Sequence, residues 1–500
     1  MFATARTFAL IGIEADAVHV EVDIRGGLPG FAVVGLPDTA VRESRERVRA
    51  ALANSGFKFP LQKITANLAP ADLPKSGPGF DLAIAAALLV ASGQAPRGLL
   101  ERYALAGELA LDGSIRPVPG ALVMAEATRA LGFRAIAVAA GNAREAAMVD
   151  GVEVVAIDHL SRIPALADGG VEPVSPASFA PADEDRDDPD LSDLRGQPAL
   201  RRALEVAAAG GHSLLLVGPP GSGKTLAARR LPSLLPPLDA PEALDVARIA
   251  GACANGSGPG LAPVRPFRAP HHTISPRALV GGGRPLRPGE VTRAHRGVLF
   301  LDELGEFRRD ALEALRQPLE DGSVVVSGAG RRSVRLPCRF ALVAASNPCP
   351  CGHGPDSGEC NCNPAAVARY AAKLSGALAD RIEIALAVGR PSAEAMAGAP
   401  GERSEPVRAR VARARALQSE RLGEGRCNAE MSPDQIRTAG KLDAGGERAL
   451  RDGHRRLGLT GRGWDRVARV ARTIADLAGS EGVGSEHVAE ALSLRRKPAA

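Results

Sequence analysis

One stretch limits this chain more than any other: Gly218-Pro-Pro-Gly-Ser-Gly-Lys224-Thr225. Leu214-Leu-Leu-Val217 precedes it and reads as a short buried strand, and the helical Leu226-Ala-Ala-Arg-Arg-Leu231 follows. G-x-x-x-x-G-K-T between a strand and a helix is a phosphate-cradling loop. Gly221 and Gly223 let the backbone turn its N–H groups inward at a helix N-terminus, where anions are favoured. Gly218 and Ser222 complete the loop. Lys224 supplies a mobile positive charge to the β- and γ-phosphates, and the Thr225 hydroxyl is placed to ligate Mg²⁺. Such a loop demands an α/β core around it.

A second element of a phosphate site should follow on a neighbouring strand and end in acid. Val298-Leu-Phe-Leu-Asp302-Glu303 does so. Its carboxylates fall at the carboxyl end of a strand, where ligands of open α/β sheets sit. Asp302 would hold Mg²⁺ through water, and Glu303 would orient and deprotonate an attacking water. A third strand, Phe340-Ala-Leu-Val-Ala-Ala345, ends in Ser346-Asn347, whose amide could sense the γ-phosphate or form a turn.

Around this centre the chain falls into parts. Residues 1–170 alternate β-rich and helical runs. Val18-His-Val-Glu-Val22 and Ile64-Thr-Ala-Asn-Leu68 alternate like half-buried strands, whereas 81–91 is long and Ala/Leu-rich and reads as a buried helix. Residues 171–190 carry four Pro and seven Asp or Glu and read as a linker. The α/β core occupies 191–389, and Arg- and Ala-rich helices fill 390–500. The longest apolar run, 82–91, is far short of the ~20 residues that span a bilayer. Glu14 and Asp16 interrupt the N-terminal apolar stretch, which excludes a signal peptide and predicts a cytoplasmic chain. Sixty-two Lys+Arg against fifty-seven Asp+Glu leave +5, compatible with a polyanionic partner without requiring one. Aromatics are 3%, too few for a broad base-stacking surface.

Four of the seven cysteines crowd into Cys349-Pro-Cys351 and Cys360-Asn-Cys362, two C-x-C pairs eight residues apart. In a reducing compartment this spacing reads as metal binding before disulfides. Four thiolates would enclose tetrahedral Zn²⁺ and fold a loop-rich knuckle, with His353 as a substitute ligand; the other reading is four reduced, unliganded thiols.

The order of P-loop, Asp302-Glu303, Asn347 and Leu378-Ala-Asp-Arg381-Ile-Glu383 resembles the AAA+ ATPases of the magnesium-chelatase and MCM helicase branch. Arg265-Pro-Phe-Arg-Ala-Pro-His-His272, Asp302-Glu-Leu-Gly305 and Ser346-Asn-Pro-Cys-Pro-Cys-Gly352 look like the YifB/ComM family over nearly the whole chain. The resemblance implies that Asn347 is sensor 1, that Arg381 is an arginine finger reaching a neighbour's ATP, and that Arg462 in Leu459-Thr-Gly-Arg-Gly-Trp464 is sensor 2. It implies a homo-hexameric ring with ATP and Mg²⁺ as cofactors, moving on single-stranded or branched DNA. The alternative is a chelatase-type motor that remodels a protein. The His271-His272 pair belongs to the same pattern, and its role does not follow from the residues.

Pro74-Lys-Ser-Gly-Pro-Gly-Phe-Asp81 and Gly113-Ser-Ile-Arg-Pro-Val-Pro-Gly120 resemble paired segments of the Lon protease domain. The nucleophile and base positions of that domain read Gly79 and Leu122, with Lys75 and Ser76 nearby but offset, so the fold is expected without the proteolysis. Leu319-Glu-Asp-Gly-Ser-Val-Val-Val326, a turn at 328–330 and Arg331-Arg-Ser-Val-Arg335 read as a β-hairpin. In the helicase-like branch a hairpin here points into the ring's pore, where Arg331, Arg332 and Arg335 would meet DNA phosphates. The alternative is an edge hairpin guarded by charge. Arg408, Arg410, Arg413 and Arg415 read as a solvated helix face.

Overall fold

The computed structural model describes all residues except 178–188, 254–263, 284, 328–332, 355–357, 375–377, 379–380 and 496–500. The first part is built on a seven-stranded mixed sheet. Its order is Gly30–Val34, Lys63–Ala69, Glu14–Arg25, Phe2–Ile11, Tyr103–Ala106, Ala135–Ala139, Glu153–Ile157. The alternating stretches at 18–22 and 64–68 pair antiparallel, Val20 opposite Leu68, with their apolar residues buried. Helix Asp81–Ala91 is buried along its whole length between the two longest strands and helix Thr39–Asn54, hence its lack of a polar face. Its one charge is paired: Asp81 accepts from Arg47 Nε at 2.6 Å and Nη2 at 3.0 Å, from the Leu109 N–H, and from the Ser44 hydroxyl. Burial pushes the Asp81 carboxyl up, and Arg47 opposes the rise.

Neither Lon-type position carries reactive chemistry. Gly79 lies against Val118 and Leu122 is fully buried, while Lys75 is buried with its ammonium donating to the Pro70 carbonyl.

The stretch read as a linker is shorter than its composition implies. Pro173 bridges to Val155, and the Val174 N–H donates to the Val154 carbonyl at 2.7 Å, so its beginning closes one edge of the first sheet. At its other end Asp190 accepts from the Ser192 and Ser404 N–H groups. Charge and proline content register solvation, and these backbone pairings leave no trace in either.

The core sheet is five parallel strands, ordered Phe267–Arg268, Val298–Leu301, Ala341–Ser346, Leu214–Val217, Ile384–Ala387. Val217 stands opposite Ser346 and Leu301 opposite Ala344, so the P-loop, Asp302-Glu303 and Asn347 leave the sheet at the same end. The P-loop strand lies between strands that follow it in sequence, a switch point where α/β sheets open a crevice.

Helices Ser404–Leu422, Pro433–Ala439, Ala444–Leu457, Gly461–Leu477 and Ser485–Ser493 finish the chain. They share one apolar core with the sheet and helix Pro198–Gly210, in which Leu204 and Leu216 meet Val411, Val467 and Ile474. Among the described residues, no helix is long and apolar enough to cross a membrane.

Among the described residues, contacts at a hairpin and at helix Ala240–Cys253 join the first part to the core. Strands Ser323–Ser327 and Ser333–Pro337 form the expected hairpin, Val325 opposite Arg335. Its buried Val324, Val326, Val334 and Leu336 cluster with Leu286 and with Ile13 of the first part. The fit at this joint is close: a Cβ on Gly12 would stand 3.0 Å from Leu286 and 3.2 Å from Leu336. The second contact is ionic, Arg248 forking onto Glu126 at 2.6 and 2.9 Å. Beside it the Gly120 N–H donates to the Gly251 carbonyl.

Candidate nucleotide site and cysteine knuckle

The P-loop turns as its glycines permit, with Gly221 at φ +77° and Gly223 at φ +87°, and helix Lys224–Leu234 starts directly after it. Lys224 Nζ donates to the carbonyls of Gly218 at 2.7 Å and Pro219 at 2.9 Å. It also stands 3.5 Å from Ser222 Oγ and 3.4 Å from Asn347 Oδ1. Burial pulls this ammonium below the usual lysine range against the attraction of Asp302. A partly dehydrated cation at a helix N-terminus is suited to an anion of high charge density. Thr225 Oγ1 donates to Asp302 Oδ2 at 2.8 Å, so the two proposed Mg²⁺ ligands already share one point. These oxygens fit a hard divalent cation bound beside phosphates.

Glu303 adopts a left-handed backbone, φ +52°, and its N–H donates to Asp302 Oδ1 at 2.9 Å. A non-glycine residue held there costs roughly 1–3 kcal/mol, a strain that clusters at functional sites. Its carboxylate is held by a residue whose part the sequence left open: His272 Nδ1 lies 3.2 Å from Glu303 Oε2. The rings of His271 and His272 lie tilted at 34° to each other with centroids 4.1 Å apart, and His271 Nδ1 sits 2.9 Å from the Thr273 hydroxyl. The preceding arginines of the same motif are structural. Arg265 donates to the carbonyls of Pro236 and Arg296 and pairs with Glu242, and Arg268 forks onto Glu290. Only the spacing from strand Phe267–Arg268 to the histidines, beside strand Val298–Leu301, could have pointed to Glu303.

Arg381 and Arg462 lie elsewhere. Both line a cavity of about 650 Å³ together with Ser213, Gly297 and Ala341, residues at the beginnings of the core strands. Arg265, Arg339, Arg415 and Arg466 face the same space. Arg381 pairs with Glu320, and Arg462 opens helix Gly461–Leu477, exposed. Strands of four to six residues at ~3.3 Å each separate this end of the sheet from Lys224 by about 13–20 Å. One chain therefore does not bring these two arginines to its own P-loop.

Of the hairpin arginines, Arg331 and Arg332 lie outside the described residues. Arg335 is exposed on its strand, Nη1 donating to Ser323 Oγ at 3.2 Å. The basic run on helix Ser404–Leu422 is less solvated than expected. Arg410 pairs with Glu205 and Glu402, and Arg415 donates to the Ala208 carbonyl.

The four cysteines converge. The Sγ atoms of Cys349, Cys351, Cys360 and Cys362 all lie within 4.8 Å of one another. Cys349 is 3.3 Å from Cys351 and 3.7 Å from Cys360, and Cys351 is 3.7 Å from Cys360. A tetrahedron with Zn–S of about 2.3 Å has edges of about 3.8 Å. The Gly354 N–H donates to Cys349 Sγ and the Cys351 N–H to Cys362 Sγ, bonds that suit anionic sulfur. The His353 backbone, followed by Cys349, holds the Cys351 thiol down at about 6. His353 instead pairs with Glu359 at 2.9 Å, so the set is four sulfurs.

Comparison with known proteins agrees with this geometry. Residues 190–396 match the family model for magnesium chelatase subunit ChlI, 20–142 a second ChlI model, and 401–495 the ChlI C-terminal model. The uncharacterized protein YifB of Escherichia coli is 44% identical over 494 residues, 98% of this chain and 96% of that protein. The competence protein ComM of Haemophilus influenzae is 40% identical over 500 residues, 97% of this chain and 96% of its own. The magnesium-chelatase 38 kDa subunit of Cereibacter sphaeroides is 29% identical over 183 residues, 32% of this chain and 52% of that subunit. With a phosphate loop, paired carboxylates and an asparagine at one end of a five-stranded parallel sheet, the chain belongs to the YifB/ComM family of ATP-binding, magnesium-chelatase-like AAA+ proteins.

Proposed function

We propose that this chain is a ring-forming, hexameric ATPase that couples ATP hydrolysis to movement along single-stranded or branched DNA. Branch migration of recombination intermediates during uptake of foreign DNA is the setting suggested by its likeness to a competence protein. The observation that carries the reading is the split site: phosphate cradle and carboxylates at one end of the sheet, Arg381 and Arg462 at the other. Stacked head to tail, copies of the chain would bring the two halves together, and a cyclic arrangement closes such contacts.

In that assembly the N–H groups of Gly221 to Thr225 and the Lys224 ammonium would hold the phosphates. Thr225 and Asp302 would hold Mg²⁺, which shields phosphate charge. Glu303, released from His272, would accept a proton from the attacking water, oriented with help from Asn347. Arg381 of the partner subunit would then offset charge spreading over the terminal phosphate, a contribution of ~10³–10⁵ in rate. The four thiolates would hold one zinc ion in a structural role, since four sulfurs leave no open position.

The test is ATP turnover against protein concentration, with and without forked DNA, over a range of salt. Turnover per chain should rise steeply with concentration, increase further with DNA, and vanish in Lys224→Ala. Turnover indifferent to DNA at every salt concentration would favour the second reading, a chelatase-type motor that remodels a protein, to which the ChlI family models lend weight.

A further inference from the structure

The cysteine knuckle does more than close a loop, because both of its ends grip the nucleotide site. On its upstream side, only Pro348 separates Cys349 from Asn347, whose Oδ1 faces the Lys224 ammonium at 3.4 Å. Inside the knuckle, the Gly352 backbone lies directly on the P-loop. A Cβ there would stand 3.0 Å from the Pro220 ring and 3.9 Å from Asn347 Nδ2, and φ +91° suits glycine alone. On its downstream side, helix Pro364–Leu374 begins just after Cys362 and docks on the turn Leu304–Glu306 that follows the carboxylate pair. Lys373 Nζ donates to the Gly305 carbonyl at 2.9 Å, and the Tyr370 ring leaves no room for a side chain at Gly305. The Tyr370 hydroxyl also sits 3.2 Å from Ser346 Oγ, at the end of the strand that delivers Asn347.

The described residues of the segment between these anchors bury little apolar surface. Of its four cysteines only Cys349 is buried, and positions 352, 354 and 358 are glycines with positive φ. A loop without apolar core is fixed by crosslinking, and a tetrathiolate metal supplies that crosslink.

We propose that metal bound by Cys349, Cys351, Cys360 and Cys362 sets the nucleotide affinity of the AAA+ core. It does so by clamping Asn347 and the P-loop to the helix that braces the Asp302-Glu303 turn. This rests on the reading of the P-loop end as an ATP site and of the four thiols as a zinc site. With the clamp open, Asn347 and Gly352 lose their fixed position against Pro220, and the ordering entropy must be recovered from each nucleotide that binds. The thiolates are positioning groups, for they touch the site only through the backbone.

The test uses the full-length protein, zinc measured by elemental analysis, and ADP affinity measured by calorimetry in Mg²⁺. One zinc per chain is expected. Cys351→Ser should lose the metal and weaken ADP binding at least tenfold, while Cys351→His, which keeps a fourth ligand, should retain both. His353→Ala, outside the sulfur set, should keep metal and affinity. Chelator-stripped wild type should weaken alike and recover when zinc returns. Zinc present at one per chain but without effect on ADP affinity when removed would overturn the clamp and leave the zinc site standing. Metal-free protein that binds ADP with full affinity would overturn both. Failure of the ATPase reading shows separately, as metal-dependent ADP binding without hydrolysis.

Discussion

At the carboxyl ends of the core strands, the Lys224 ammonium faces Asn347 at 3.4 Å, and the Thr225 hydroxyl meets Asp302, the first of two adjacent carboxylates, at 2.8 Å. At the opposite ends of the same strands, guanidiniums crowd a cavity between sheet and helices, held by glutamates such as Glu320 and Glu242. On the reading proposed above, the first end would take a phosphate chain with its cation, and the second would offset developing negative charge. A single sheet cannot fold one end onto the other. On that reading a parallel sheet would distribute a reaction between its two rims and reunite it only where two molecules meet.

Several experiments break or sharpen that contrast. The largest effect is expected from Arg381→Ala, which should cut ATP turnover by ~10³–10⁵ with nucleotide affinity nearly intact. Mixing it with Lys224→Ala chains is the sharper form. Hybrid rings would contain some junctions with an intact cradle and an intact arginine, so activity should reappear from two dead proteins. A mixture that stays inactive while co-assembled would place both residues in one chain's site. Glu303→Gln should lower single-turnover hydrolysis by ~10²–10⁴ and leave ATP binding in place; equal rates would remove the base from Glu303. Away from both rims, Asp81→Ala strips the partner from Arg47 inside the first sheet. It should destabilise that part by about 3–5 kcal/mol in denaturant melts with little change in nucleotide affinity. The smallest change is expected from His272→Ala. Freeing the Glu303 carboxylate should alter resting turnover a few-fold and leave DNA stimulation measurable; identical turnover would make the 3.2 Å contact incidental.

Much of the nucleotide end was legible because its chemistry is written in short strings. The P-loop, the acid pair after an apolar run and the two C-x-C pairs each depend on neighbours in sequence, and parallel pairing of Leu214–Val217 with Ala341–Ser346 then brings them together. The arginine end was opaque because its cavity draws on residues from 211 to 469, and no window of sequence holds enough of it. His272 escaped for a similar reason: it reaches Glu303 from the loop after an adjacent strand, thirty-one positions earlier. The helical C-terminal part was recognisable by composition. That it would share one core with the sheet was not, since a buried helix face reads the same whatever covers it. Arg410 and Arg415 show the limit of charge patterning, for a basic row looks solvated until its carboxylate and carbonyl partners are placed.

The joint at Gly12 has a practical bearing. Because Ile13 fills the space over Leu286, Val334 and Leu336, a shortened protein beginning at the phosphate-loop region would turn that greasy seam toward water. Such a fragment should clump on purification, and cutting the gene at its apparent seam would yield a sticky half-machine instead of a portable motor.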